Sequence, residues 1–234
     1  MLDDMSVSKS ARERVREEIT REILDVARAH LAEQGAVALS LRAVARDVGM
    51  VSSAVYRYFP SRDDLLTALI VEAYGAVAAE VEAAAAASSR RHVAGRWAAV
   101  TSAVRAWALA HPHEYGLIYG TPVPGYQAPE ATVEPVNRLA ATLVELLRDG
   151  LNRGELEPTG AAAVPRRVHA AIGPVLEFAG LPDDLVARGL LAWMAMFGAI
   201  SYELFGHLHQ AVLDYDAFFE HEMGRLAHDV LGAH

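Results

Sequence analysis

Between Ser40 and Tyr58 the chain reads SLRAVARDVGMVSSAVYRY, and few folds accommodate that order of residues. Leu41, Val44, Ala45 and Val48 recur at helical spacing on one face, and Ser40 is placed to cap the first turn through its hydroxyl. Gly49 ends this helix, because the sharp turn needs a residue that tolerates positive φ. A second short helix begins near Ser52 and turns Val55 inward. It stops by about Tyr58, since Pro60 pushes Phe59 towards extended geometry. Two helices of about two turns each around a glycine-centred turn match a helix-turn-helix, with Ala45 small where the helices must cross.

The outward residues of the second helix are Ser52, Ser53, Ala54, Tyr56, Arg57 and Tyr58, with no acid among them. Such side chains can hydrogen-bond phosphates and touch base edges in a major groove. On pattern alone, an ordinary hairpin inside an all-α protein fits equally well.

Charge bears on that choice. The net charge of −9 is unevenly spread: residues 1–62 hold ten Lys/Arg and nine Asp/Glu, whereas residues 63–234 hold eleven and twenty-one. Acid is concentrated away from the reading helix, where it would keep the rest of the chain off the phosphates. There is no cysteine, which excludes disulfides and thiolate chemistry. No run of eighteen strongly apolar residues stands out and the N-terminus lacks a signal-like apolar core, so a cytoplasmic protein without a membrane partner is expected.

Taken in order, residues 1–10 read as a tail. Arg12, Arg14 and Arg16 follow, interleaved with Glu13, Glu17 and Glu18, either as a solvated helix face or as an arm for adjacent DNA. A first helix carries Ile19, Ile23, Val26, Ala27, His30 and Leu31 inward and ends at Gly35, with His30 read as a packing residue. Ser61 to Asp64 looks like a capping box opening a long helix to about Ala87. Further helices are expected at about 92–110, from 129 or 131 to 150, at 161–179 with a kink at Pro174, at 183–209 and at 215–231. Between them HPHEYGLIYGTPVPGY, from His111 to Tyr126, is the most distinctive stretch of the second half. Pro112 can open a short helix there, and Gly120, Pro122, Pro124 and Gly125 force a loop.

The run ITREILDVARAHLAEQG, followed by ALSLRAVARDVGMVSSAVYRYFPSRDDLL, resembles the DNA-binding domain of the TetR family of bacterial repressors. The resemblance spans about Thr20 to Leu66 without a gap, with Met50 and Arg62 as mild departures. The His111–Tyr126 stretch resembles, over a shorter length, the C-terminal domain of the WHG subgroup. The resemblance implies an all-α chain: a three-helix helix-turn-helix head over residues 1–60 and a larger helical body over 61–234 that binds an effector and dimerises.

It also implies roles. Ser40, Leu41 and Arg42 would open the head's DNA face. Ser52, Ser53, Ala54 and Arg57 would meet base edges, and Tyr56, Tyr58 and Arg62 would meet phosphates. An effector pocket is expected around Trp97, Trp107, His111, Tyr115, Tyr119, Phe178, Met194 and Phe197, with His113, His169 and Glu177 as possible polar members. A four-helix dimer seam is expected at Val168, Ile172, Val175, Trp193, Met196, Ile200 and Leu204. The partners implied are double-stranded DNA with a palindromic operator, a second copy of the chain and a small, largely apolar effector. No cofactor or metal is expected.

An enzyme is the competing class, and a helical ligand carrier whose head no longer binds an operator is another. GxSxG, HExxH and Walker A motifs are all missing, as is GxGxxG in a strand-turn-helix setting. His207 and His209 diverge on a helix, and Glu203–His207 and His221–His228 lack a third ligand. A non-enzymatic regulator is the reading that remains.

Overall fold

The computed structural model describes residues 10–89, 91–158 and 164–233. The expected tail therefore falls mostly outside the described residues, as does the start of the helix expected from 161. Among the described residues there is no strand.

Helix α1 (Ala11–Ala38) is capped by Ser10, whose hydroxyl accepts from the Glu13 N–H while the Glu13 carboxylate accepts from the Ser10 N–H. The helix breaks at Gly35, where its end was expected. Gly35 takes φ +76°, kinks the axis, and one further turn follows to Ala38. Helices α2 (Leu41–Asp47) and α3 (Ser52–Val55) complete the head. Gly49 at φ +77° closes the turn between them: the Met50 N–H reaches the Ala45 carbonyl at 2.8 Å and the Gly49 N–H that of Arg46. Ser40 is extended, but its hydroxyl makes no capping bond, so the predicted cap is absent.

Helix α4 (Arg62–Ala87) is continuous over the predicted span. Ser61 caps it through the Asp64 N–H, but the Asp64 carboxylate accepts from the Ser61 hydroxyl instead of returning to the backbone. Its first turns bury Leu65, Leu66 and Leu69 with Ile23, Leu24, Ala27, Leu41, Val44, Val55 and Phe59, so the head's core extends past the boundary expected at residue 60.

The body holds α5 (Val93–Ala110), α6 (Pro112–Tyr119), α7 (Val133–Asn152) after a 3₁₀ turn at Glu130–Thr132, α8 (Arg166–Ala171), α9 (Gly173–Ala179), α10 (Asp183–Leu204) and α11 (Tyr215–Arg225). The kink expected at Pro174 is a full break: Ile172 leaves helical geometry, and Gly173-Pro174 starts α9 afresh. The last helix widens into a π-turn at Leu226–Leu231. The body core takes in Trp97, Trp107, Tyr115, Leu146, Met196, Ile200, Phe219 and Met223.

By length and composition alone α10 is long and apolar enough to cross a bilayer, with a mean hydropathy of 1.4 over its best window. It packs instead into the body, with Leu185, Ala192, Met196 and Ile200 in the core.

Candidate nucleic-acid interface and body hollows

The head presents α3 outward. Ser52, Ser53, Tyr56 and Arg57 are exposed, Ala54 and Tyr58 are half-buried, and Val55 is fully buried beneath them. Arg42 at the start of α2 is exposed as well. Among the described residues, no ion pair or side-chain hydrogen bond engages Arg42 or Arg57. Two guanidiniums without internal partners beside serine hydroxyls form an acid-free face that can meet phosphates and base edges. Arg16 of α1 lies over the Tyr58 ring, 5.3 Å from its centroid. Leu41 is buried and therefore supports the face from behind instead of touching DNA.

Arg62 departs from expectation. Its guanidinium donates to the carbonyls of Ala36 at 2.7 Å, Leu39 at 3.1 Å and Val37 at 3.2 Å, the last carbonyls of α1. Helix C-termini leave these carbonyls without partners, and a cation there also suits the dipole. The side chain expected on phosphate is thus committed to fastening α1 to the start of α4. His30 behaves as the packing residue expected: it is buried, with Nε2 2.7 Å from Asp47 of α2. The Arg46 and His30 hydrogen bonds hold the Asp47 carboxyl below its ordinary value.

Head and body meet through α4, α6 and the loop after α6. Arg28 of α1 contacts Glu72 of α4 at 2.6 Å and Glu114 of α6 at 3.6 Å. Leu117, Val123 and Tyr126 pack on the head's core, and the Tyr126 hydroxyl is 3.0 Å from that of Thr67. The His111–Tyr126 stretch is therefore a strap across the junction.

The single pocket expected in the body is not formed. Trp97 and Tyr115 are fully buried: the Trp97 indole donates to the Met223 carbonyl, and the Tyr115 hydroxyl contacts the Phe197 carbonyl and Ser201. Trp107 is a core residue whose buried indole N–H has no partner among the described residues, and exposed His111 stacks on it. Phe178 is 45% exposed and Met194 62% exposed. Tyr119 and Phe197 do meet, with ring centroids 4.2 Å apart. His169 pairs with Asp183, and Glu177 is exposed.

Residues expected to share one pocket are divided among several hollows. A groove of about 420 Å³ between α7, α9 and α10 is lined by Leu143, Leu147, Val175, Phe178 and Trp193, with Asn137 as a polar member. A larger hollow of about 790 Å³ lies at the head–body junction and includes Tyr119.

The dimer residues also divide. Met196 and Ile200 are fully buried in the core and cannot meet a partner. Trp193 and Leu204 are half-buried in the body, and Val168, Ile172 and Val175 lie on the thinly packed α8–α9 segment. The outward apolar stripe of α10 is Leu191, Met194, Gly198, Tyr202 and, just beyond the helix, Phe205. Their spacing of three and four residues marks one helical face.

Comparison with known proteins agrees with this anatomy. Residues 23–69 match the model of bacterial regulatory proteins of the tetR family, and residues 97–226 match that of the tetracyclin repressor-like C-terminal domain. The HTH-type transcriptional regulators Rv1816 of Mycobacterium tuberculosis and Mb1846 of Mycobacterium bovis are each 39% identical over 198 residues, covering 82% of both chains. The chain belongs to the tetR family.

Among solved structures, regulatory protein SCO4313 aligns at 36% identity and a TM-score of 0.76, covering 93% of this chain and 98% of its own. A Rhodococcus sp. RHA1 protein of unknown function, at 21% identity and a TM-score of 0.70, shares the fold. The tetR-family chain is thus a non-enzymatic transcriptional regulator with a DNA-binding head. Sequence reasoning missed the Leu191–Tyr202 stripe and the Arg62 anchor. The first was legible as a three-four repeat on α10, whereas nothing in the sequence points the Arg62 side chain back at α1.

Proposed function

We propose that the protein is a homodimeric repressor that leaves a palindromic operator when a small, largely apolar effector binds its body. The observation that carries this reading is the exposed, acid-free surface of α3: Arg57 stands there with Ser52 and Ser53, Arg42 lies by Tyr56, and neither arginine has an internal partner among the described residues. Arg57, Ser52, Ser53 and Ala54 read base edges, while Tyr56, Tyr58, Ser40 and Arg42 hold phosphates. Arg62 acts behind them as an anchor.

Dimerisation supports a two-fold operator, since two α3 helices must enter successive major grooves about 34–36 Å apart or somewhat more. The seam is the outer stripe of α10 with α8 and α9, and Gly198 allows close approach because nothing lies within 4 Å of where its Cβ would be. The effector occupies the groove between α7, α9 and α10, favours the geometry that does not fit the operator, and acts on the head through α4 and the α6 strap. Such a protein works in the cytoplasm, where its DNA is.

Selection from a random duplex pool at moderate salt tests the proposal. Enrichment of one inverted repeat is expected, and its half-site spacing should fit a two-fold dimer. A folded protein that enriches no motif would overturn the operator reading.

A further inference from the structure

Fastening the head explains only part of the His111–Tyr126 stretch. Leu117, Val123 and Tyr126 reach the head's core. Pro112 to Pro124 also supply most of the wall of the 790 Å³ junction hollow, with the last turn of α1 opposite and the end of α10 at one side. That volume lies in the range of small-molecule sites.

The chemistry of the wall narrows what fits. It contains no Asp, Glu, Arg or Lys, so a charged guest would find no fixed counter-charge. Its polar groups are the hydroxyls of Tyr119, Thr121 and Ser201 and the imidazoles of His113 and His207; the rest is apolar or aromatic. Ser201 is already bonded to Tyr115. The Tyr119 hydroxyl makes no hydrogen bond among the described residues, and burial pushes its pKa up, so it stays a protonated donor. Its ring is held by Phe197 at 4.2 Å and by Tyr115 at 5.1 Å.

We propose that the junction hollow is a second small-molecule site, for an uncharged, aromatic, largely apolar compound whose carbonyl oxygen accepts from the Tyr119 hydroxyl. It shares no lining residue with the α7–α9–α10 groove. Occupancy needs no operator. Its consequence, a guest that fixes α1 against α6 and α10 and so sets the angle of the head, rests on the operator reading.

The test uses the full chain and two ligands of similar shape, 2-acetonaphthone, which has a carbonyl, and 2-ethylnaphthalene, which does not, with binding read by calorimetry. Gly116 lines the hollow and has open space where its Cβ would stand, so Gly116→Trp fills the site without a backbone clash. Filling the hollow should weaken the ketone by about tenfold or more, whereas Ala140→Trp in the other groove should leave it within about twofold. Tyr119→Phe should weaken the ketone by about fivefold and leave the hydrocarbon unchanged, as loss of one neutral hydrogen bond predicts. Gly116→Leu replaces the tryptophan variant if thermal melting shows that the latter does not fold. Three results overturn the proposal: no saturable ketone binding, loss through Ala140→Trp instead of Gly116→Trp, or equal loss of both probes in Tyr119→Phe. Failure of the operator selection leaves each of these readouts intact.

Discussion

The head closes its core with aliphatic side chains and one ring, Phe59; the body closes its core with Trp97, Trp107, Tyr115 and Phe219. Small aliphatic groups from short helices interdigitate with little left over. Large rings carry polar atoms that need partners. Trp97 and Tyr115 find theirs on the backbones of α11 and α10, while the buried Trp107 indole N–H has none among the described residues. The hollow of about 790 Å³ and the groove between α7, α9 and α10 both border the aromatic body. The contrast suits the two tasks proposed for the chain: a reader whose face holds its shape, and a sensor whose rings can border a guest.

The sharpest way to break this contrast is to damage one core and watch the other. Trp97→Ala should cost the body about 3–5 kcal/mol, from cavity formation and an orphaned Met223 carbonyl. Amide exchange in α1–α3 should change far less than in α5 and α11. Equal loss of protection in both would mean that the two cores are one cooperative unit.

The outer face of α10 comes next. Leu191→Glu combined with Met194→Glu should raise the dimer dissociation constant by about a hundredfold, roughly 3 kcal/mol, read by sedimentation. Helicity should persist, because both side chains are exposed. Met196→Ala should do the reverse, lowering the melting temperature while leaving association intact.

Arg62→Ala should destabilise the head by about 2 kcal/mol, the worth of hydrogen bonds from a charged donor. DNA affinity should fall for every sequence with an unchanged salt slope; a flatter slope would restore the phosphate contact. Arg57→Ala should cost about 1–3 kcal/mol at one base pair in each half-site and relax the selected motif there.

The smallest effect concerns acid. Asp47 is held below its ordinary value of 3.8 by Arg46 and then His30. Its stabilisation is therefore present above that value and lost as pH falls through the lower folded value. Asp47→Asn should lower stability at neutral pH, and its acid-melting curve should converge with that of the parent chain at the acid end.

The same contrast explains what the sequence made legible. In the head, Val44, Ala45, Val55 and Phe59 have to face inward for helices this short to pack, so the remaining residues are left outside and the reading face follows. In the body an apolar residue can serve core, hollow or seam, and periodicity does not choose among them. Met194 and Met196 sit two apart on α10, yet one is 62% exposed and the other fully buried, the opposite of the roles expected for them. Glu203, weighed with His207 as a ligand pair, is instead held by Arg105 from α5 at 2.7 Å. Long-range side-chain partners of this kind leave no mark on local spacing. The break at Ile172 was half-visible, since Pro174 marks the place but not the severity.

The uninterrupted run of α4 has a geometric consequence. Twenty-six residues make a rod of about 39 Å. If the Ala87 end is held in the body and the rod pivots by about 6°, the Arg62 end travels about 4 Å over that length. In a two-fold dimer the same end of the second rod moves the other way, so the separation of the reading helices can change by about twice that, set against a groove-to-groove distance of about 34–36 Å. A displacement of a few tenths of an ångström where the body grips the rod is thereby magnified into one that the regular spacing of a duplex does not forgive.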